Sequence, residues 1–170
     1  MIQKKVCMVG VAGTGKTSMV QRFVHSLFSE RYHSTVGVKI DRRIVDVDGD
    51  EVNLLLWDIE GRTPEQEVPS SYVRGAHAVL YVADGTRRAT FDQLPQLREL
   101  VRSTVGDVPS LVALNKTDLT DQWALTRSDE ASLPDAGLTH VRTSAKTGVG
   151  VEDAFHWLAK EVLRVDASRR

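Results

Sequence analysis

The chain has 170 residues, of which 41% are hydrophobic and 26% charged, with 22 Lys and Arg against 23 Asp and Glu and a formal net charge of −1. That length sets an expectation of one domain, 1–170, burying roughly 70% of the surface of the unfolded chain without staples, and the near-neutral balance gives no electrostatic case for nucleic acid or an acidic membrane surface. A single cysteine, Cys7, excludes an internal disulfide framework; the five histidines lack zinc-ligand spacing, no apolar run approaches a membrane span, and "MIQKK" is no secretory signal, so the expectation is a soluble cytoplasmic protein.

The pattern alternates strand and helix, which argues for an α/β fold with a largely parallel sheet. "KKVCMVG" (4–10) is an apolar run ending in glycine and predicts a buried first strand. Residues 17–28 carry Met19, Val20, Phe23, Val24 and Leu27 at helical spacing. A polar loop, "SERYHSTVG" (29–37), follows. Next come two strands joined at Asp48-Gly49, a strong hairpin signal. Residues 59–75 are polar with two prolines and predict a mobile loop with a short helix. "AVLYVAD" (78–84) and "SLVALNK" (110–116) predict two more buried strands, and "HVRT" (140–143) a short sixth. Helices are expected over 91–105, kinked or started by Pro95, and over 151–165, with Phe155, Leu158 and Val162 on the apolar face. Residues 120–138 predict one irregular helix. Trp57 reads as core in its strand, Trp123 and Trp157 as packing residues on helices, and Cys7 as buried and inert.

"GVAGTGKT" (10–17) fits G-x-x-x-x-G-K-[ST] between a predicted strand and a predicted helix, the context that the motif requires. Its glycines let the backbone over Ala12, Gly13, Thr14 and Gly15 curl so that N–H groups face phosphate oxygens, and the helix N-terminus adds partial positive charge. Lys16 supplies an ammonium to the β- and γ-phosphates, and Thr17 a hydroxyl to Mg²⁺. The plain alternative, a glycine-rich turn with a capping threonine, does not account for the flanking elements.

"NKTD" (115–118) follows the strand "LVAL". A carboxylate there accepts two N–H bonds from guanine, a donor pair that adenine lacks, so Asp118 predicts guanine selectivity. "SAK" (144–146) follows the sixth strand. Taken in the order P-loop, DxxG, NKxD, SAK, these pieces resemble the Ras superfamily of small GTPases, and within it the Rab-like branch. "YHSTVGV", "VDGDEVNLLLWDIEG" and "TSAKTGVGVEDAF" extend the resemblance over nearly the whole chain.

The resemblance implies a P-loop NTPase fold with a six-stranded, mostly parallel sheet and about five helices, with GTP, GDP and Mg²⁺ as ligands. By it, Ser18 reaches the α-phosphate, Phe28 stacks edge-on against guanine, and Tyr32 and Thr35 belong to a first switch loop. Thr35 completes the Mg²⁺ shell when a γ-phosphate is present. Asp58 holds Mg²⁺ through water, and the Gly61 N–H touches the γ-phosphate. Asn115, Lys116 and Asp118 read the base, with Ser144, Ala145 and Lys146 beside them and the Ala145 N–H on guanine O6. Lys16, Thr35, Gly61 and Arg62 are the candidates for the hydrolytic chemistry; Thr17, Thr35 and Asp58 are those for the metal. Blander readings stand beside these: Phe28 as core, Tyr32 as a solvated loop residue, Thr35 as a strand cap.

Four features depart from the family pattern. Arg62 stands where the family usually carries a glutamine whose amide orients the attacking water; a guanidinium donates hydrogen bonds but accepts none. Ala12 replaces a common glycine and narrows the space around the water-positioning group. Glu60 puts a carboxylate beside the phosphate site, where it repels a γ-phosphate unless it points outward or pairs with Arg62. These three predict slow intrinsic hydrolysis dependent on an activating partner, whose arginine supplies about 10³–10⁵ in related enzymes. Gln66 is a remote local substitute. The fourth is the tail, "ASRR", which lacks the prenylated cysteines of eukaryotic Rab and Ras relatives, so no lipid anchor is expected; either the chain is truncated or it is an unlipidated relative such as the prokaryotic Ras-like GTPases.

The leading expectation is a GTP-dependent switch in which the γ-phosphate orders loops 29–37 and 59–74 for effector, exchange-factor and GTPase-activating proteins, with Val36, Val38 and Trp57 as contacts. A second reading is a GTP-binding interaction module that does not hydrolyse. A third, an ATP-using P-loop enzyme, is opposed by Asp118.

Overall fold

A computed structural model describes residues 1–31, 34–63 and 66–170. The chain runs β1 (Ile2–Val9), α1 (Lys16–His25), β2 (Val38–Val47), β3 (Asp50–Ile59), α2 (Ser70–Val73), β4 (Ala78–Asp84), α3 (Arg88–Asp92), α4 (Leu94–Val105), β5 (Ser110–Asn115), α5 (Arg127–Asp135), β6 (Thr139–Arg142) and α6 (Val151–Ser168). The strands form one sheet in the order β2-β3-β1-β4-β5-β6, with β2 antiparallel to β3 and every other pairing parallel. The six-stranded, mostly parallel α/β arrangement agrees with the resemblance to P-loop proteins.

Side chains on the central strands alternate between two cores, as the period of two requires. Val6, Met8, Leu80 and Val82 pack with Met19, Phe23, Phe155 and Leu158 of α1 and α6. Cys7, Val9, Val79 and Tyr81 pack with Phe91, Leu94, Val101 and Leu133 of α3, α4 and α5. β4 is buried along its whole length, as a central strand with both faces covered reads. The Phe23 and Phe155 rings stack with centroids 4.2 Å apart, a pair worth about 0.5–1.5 kcal/mol beyond its burial.

Local chemistry explains where the predicted elements hold and where they shift. Asp48 and Gly49 both take positive φ, 52° and 93°, so the hairpin turn is the one that Asp-Gly favours. Helix α1 stops at His25, three residues before the predicted end, because Ser26 adopts φ 54° and its N–H returns to Arg22 O at 3.0 Å. Leu27 is consequently 60% exposed rather than part of a helical stripe. The helix expected over 91–105 is two segments, α3 and α4, with Pro95 in the first turn of α4, where its missing N–H costs nothing.

The single helix expected over 120–138 is also divided. A 3₁₀ turn, Thr120–Gln122, precedes α5, and Thr126 and Asp129 close a reciprocal capping box between them. Trp123 therefore follows the 3₁₀ turn instead of riding a helix; its ring lies under the Arg142 guanidinium, 5.0 Å from the centroid. Trp57 is half-buried on β3 with Lys5 Nζ 3.5 Å from its ring centroid. Among the described residues no helix is long and apolar enough to cross a membrane.

Candidate functional site

All the recognition motifs lie where strands β1, β3, β5 and β6 end, at the carboxyl edge of the parallel sheet. Open α/β sheets bind ligands at that edge. A cavity of about 420 Å³ opens there. Its walls come from the loop after β1, the loops on either side of the β2–β3 hairpin, the turn after β5 and the turn after β6.

The loop after β1 is shaped by glycine. Gly15 takes φ 102°, and a Cβ there would lie 2.2 Å from Asn115 Nδ2; at Gly10 a Cβ would meet the Val82 carbonyl oxygen at 2.4 Å. Ala12, Gly13, Gly15, Lys16, Thr17 and Ser18 line the cavity. Thr14 does not: it is fully buried, its hydroxyl donates to Val11 O at 3.1 Å, and its carbonyl accepts from Asn115 Nδ2 at 3.0 Å. The Lys16 ammonium donates to Gly10 O and Val11 O, both at 3.0 Å, while the side chain is almost wholly buried. Burial brings this ammonium down to about 8; the Asp58 carboxylate pulls it back up, and the Arg87 charge adds to the fall.

Thr17, Thr35 and Asp58 converge behind Lys16. Thr17 Oγ1 donates to Asp58 Oδ2 at 2.6 Å and lies 2.8 Å from Thr35 Oγ1, and Thr35 Oγ1 reaches the same carboxylate oxygen at 3.4 Å. Asp58 Oδ1 is buried without a hydrogen-bond partner among the described residues. Burial pushes the Asp58 carboxyl above its ordinary value against the opposing pull of Thr17 and Lys16. Two hydroxyls around a carboxylate with an orphaned oxygen form a hard-oxygen set that fits Mg²⁺.

Beside them, Gly61 packs on the phosphate loop so closely that a Cβ would lie 2.4 Å from both the Ala12 Cα and N atoms. The Glu60 N–H donates to Gly37 O at 2.7 Å, and the Arg62 N–H to Gly10 O at 3.2 Å, which ties the Thr35 loop, the β3 end and the phosphate loop together. Glu60 and Gly61 line the cavity but Arg62 does not. Its guanidinium turns to Glu60 Oε2 at 2.8 Å and to Glu67 O at 2.7 Å, the pairing that the spacing of Glu60 and Arg62 allowed. Gln66, the remote substitute, is exposed and accepts the Thr63 N–H at 3.1 Å within its own loop. Tyr32 lies outside the described residues.

The opposite end is a closed network. Asn115 Oδ1 accepts from Thr143 Oγ1 at 3.1 Å and from the Ala145 N–H at 3.3 Å. Ser144, buried behind the wall, donates from Oγ to Asp118 Oδ1 at 2.8 Å and so fixes the carboxylate; Asp118 Oδ2 has no hydrogen bond among the described residues. Lys116 stretches back to Gly13 O at 3.0 Å and pairs with Asp84 at 2.9 Å, holding the two ends of the cavity at a set spacing. Phe28, half-buried against the α1–α6 core, and Lys146, paired with Glu30 at 2.9 Å, line the mouth.

Three residues in this framework had no motif to announce them. Asp84 is 1% exposed at the end of β4. Burial pushes its carboxyl up, but the Thr86 and Lys116 hydrogen bonds together outweigh that and hold it below its ordinary value. A carboxylate ending an all-buried strand at the ligand edge was the available signal. Arg87 donates to Ala12 O at 2.8 Å, and Arg22 Nε to Ala145 O at 2.8 Å, each bracing a loop from outside. Surface-type arginines on ordinary helix ends carry no such signal in one sequence.

With this geometry in place, the likeness to known proteins is specific. The sequence profile of the Ras family matches residues 5–164. "Ras-related protein Rab-26" of Bos taurus is 39% identical over 161 residues, which are 93% of this chain and 63% of that protein, so the chain spans less than two thirds of this relative's length. Proteins of this family are GTPases that bind GTP and GDP with Mg²⁺. The chain belongs to the Ras family.

Proposed function

We propose that residues 1–170 form one GTP- and GDP-binding switch domain that hydrolyses GTP with slow intrinsic turnover and depends on an activating partner. The observation that carries this is the joining, in one cavity of about 420 Å³, of a phosphate end at Lys16 and Thr17 with a base end at Asp118 and Ala145.

In this reading the N–H groups of Ala12, Gly13, Gly15 and Lys16 face the phosphates, with Thr14 as an internal brace and Ser18 at the α-phosphate. Thr17, Thr35 and Asp58 would hold Mg²⁺, which would supply positive charge to offset that of the phosphates. Lys16 and the Gly61 N–H stabilise charge that develops on the transferring phosphoryl group. Asp118 Oδ2 and Oδ1 accept from the two guanine donors while Ser144 holds the carboxylate in place, and the Ala145 N–H donates to O6. Phe28 and the stem of Lys116 cover the faces of the base, with Lys146 at the rim. Val36, which is 85% exposed, and half-buried Val38 and Trp57 form the effector-facing surface of the switch loops, and regulatory proteins act through the same loops. The domain works in the cytoplasm; fractionation of cells expressing it tests that placement.

The test is direct. Purified protein yields bound GDP or GTP, GTP competes with itself but ATP does not, and GTP decays slowly in a single-turnover assay while a Lys16→Ala control shows no decay. Equal competition by ATP sinks the base assignment. The second reading, a binding module without hydrolysis, draws support from the Arg62 guanidinium, which is committed to Glu60 and Glu67. GTP that stays intact on the wild-type protein favours it.

A further inference from the structure

We propose that Glu60 supplies the hydrogen-bond acceptor that Arg62 lacks, and that Arg62 acts as its positioning residue. The inference rests on the GTPase reading above and deepens it. Hydrolysis needs a group beside the γ-phosphate that accepts from the attacking water, and a guanidinium cannot accept. Two residues earlier, Glu60 lines the cavity next to Gly61 and Thr35. Its Oε2 is occupied by Arg62 Nη2 at 2.8 Å, while Oε1 carries no hydrogen bond among the described residues.

The clamp is anchored at both ends. The Glu60 N–H is fastened to Gly37 O at 2.7 Å, on the loop that carries Thr35. The Arg62 N–H is fastened to Gly10 O at 3.2 Å, on the phosphate loop, and its Nη1 to Glu67 O at 2.7 Å. Gly61 between them presses on Ala12 with no room for a Cβ. The carboxylate is thus held at the wall of the phosphate end with one oxygen available. The guanidinium also answers the electrostatic objection to a carboxylate there: the pair is neutral, so the γ-phosphate meets a dipole instead of a lone negative charge.

In the step itself, Glu60 Oε1 accepts from the water and aims its oxygen at the γ-phosphorus. The new oxygen–phosphorus bond forms, and the bond from that phosphorus to the β–γ bridging oxygen breaks with its electron pair passing to GDP. Both water protons leave on inorganic phosphate as dihydrogen phosphate. Glu60 is unchanged at the end.

Single-turnover GTP hydrolysis is measured with Glu60→Ala, Glu60→Gln, Arg62→Ala and the double variant Glu60→Ala/Arg62→Gln, each checked for fluorescent GDP binding and thermal unfolding. Glu60→Ala lowers the rate constant by roughly 10²-fold with GDP affinity kept. Glu60→Gln, which retains an acceptor oxygen, keeps most of the rate. Arg62→Ala loses rate and weakens GTP relative to GDP, because the carboxylate is left uncompensated. The double variant regains rate over Glu60→Ala, since the acceptor has moved to position 62. A Glu60→Ala protein that hydrolyses as fast as wild type or faster, or a double variant no faster than Glu60→Ala, overturns the proposal. Wild-type protein that binds GTP without turnover also overturns it while leaving nucleotide binding intact; failure to bind GTP sinks the underlying reading.

Discussion

The two ends of the cavity are built differently. At the base end, Asn115, Asp118, Thr143, Ser144 and Ala145 are hydrogen-bonded to one another within the protein, and the Lys116 ammonium ties them to the phosphate loop at Gly13 O. At the phosphate end, Asp58 Oδ1 is buried without a partner among the described residues, and the ammonium of Lys16 leans on two backbone carbonyls. Buried polar atoms left unpaired cost about 1–3 kcal/mol each, so they mark where ligand contacts bring the largest gain. One end is thus internally hydrogen-bonded, whereas the other holds a buried polar atom without a partner; under the proposed function the second end is the one that responds to the state of the nucleotide.

Variants at each end sharpen this contrast. The largest expected effect is on selectivity: Asp118→Ala cuts the preference for GTP over ATP by about 10⁴, because a site built to pair donors rejects a ligand that lacks them. Competition binding reads it, and the phosphate end is unaffected. Lys16→Ala weakens GTP by about 3 kcal/mol, beyond 10²-fold, as a charge-assisted contact is lost with no change in base preference. Titration with fluorescent nucleotide measures both quantities. Arg62→Gln changes single-turnover hydrolysis only a few-fold, because it brings an acceptor to position 62 while releasing the Glu60 carboxylate from its partner; a loss as deep as that of Glu60→Ala contradicts the view that an amide at position 62 can hold the water.

A control in the core belongs to neither end. Cys7 is fully buried on β1, and burial pushes its thiol from the ordinary 9.0 up to about 12, with Lys5 opposing. The folded state therefore holds this proton more tightly than the unfolded chain. Its contribution to stability is complete below pH 9.0 and is lost as pH climbs toward about 12. Chemical denaturation across that range shows wild type converging on Cys7→Ala, and nucleotide binding at neutral pH is the same in both.

Much of the site was legible because its chemistry dictates spacing. The phosphate loop needs glycines at 10 and 15, and the structure shows the atoms that any side chain there would strike. The Asp48-Gly49 hairpin was equally legible, since two positive φ values in succession select those residues. What escaped were features decided by capping or by tertiary contact. Ser26 ends α1 through a left-handed conformation that serine rarely takes. The Thr126–Asp129 box divides what hydrophobic spacing made look like a single helix. Asp84, Arg87 and Arg22 matter through partners far away in the chain, which no short run of residues encodes. The commitment of Arg62 to Glu60 was foreseen as an option, but only geometry distinguishes it from an arginine reaching into the cavity.

Backbone amide hydrogen exchange in the GDP- and GTP-loaded protein, both with Mg²⁺, tests the contrast between the two ends most directly. Segments 34–37 and 59–63 gain protection with GTP over GDP, while 115–118 and 143–146 are protected alike by both. Equal protection of 34–37 and 59–63 in the two states, or a GTP-specific change at the base end, contradicts it.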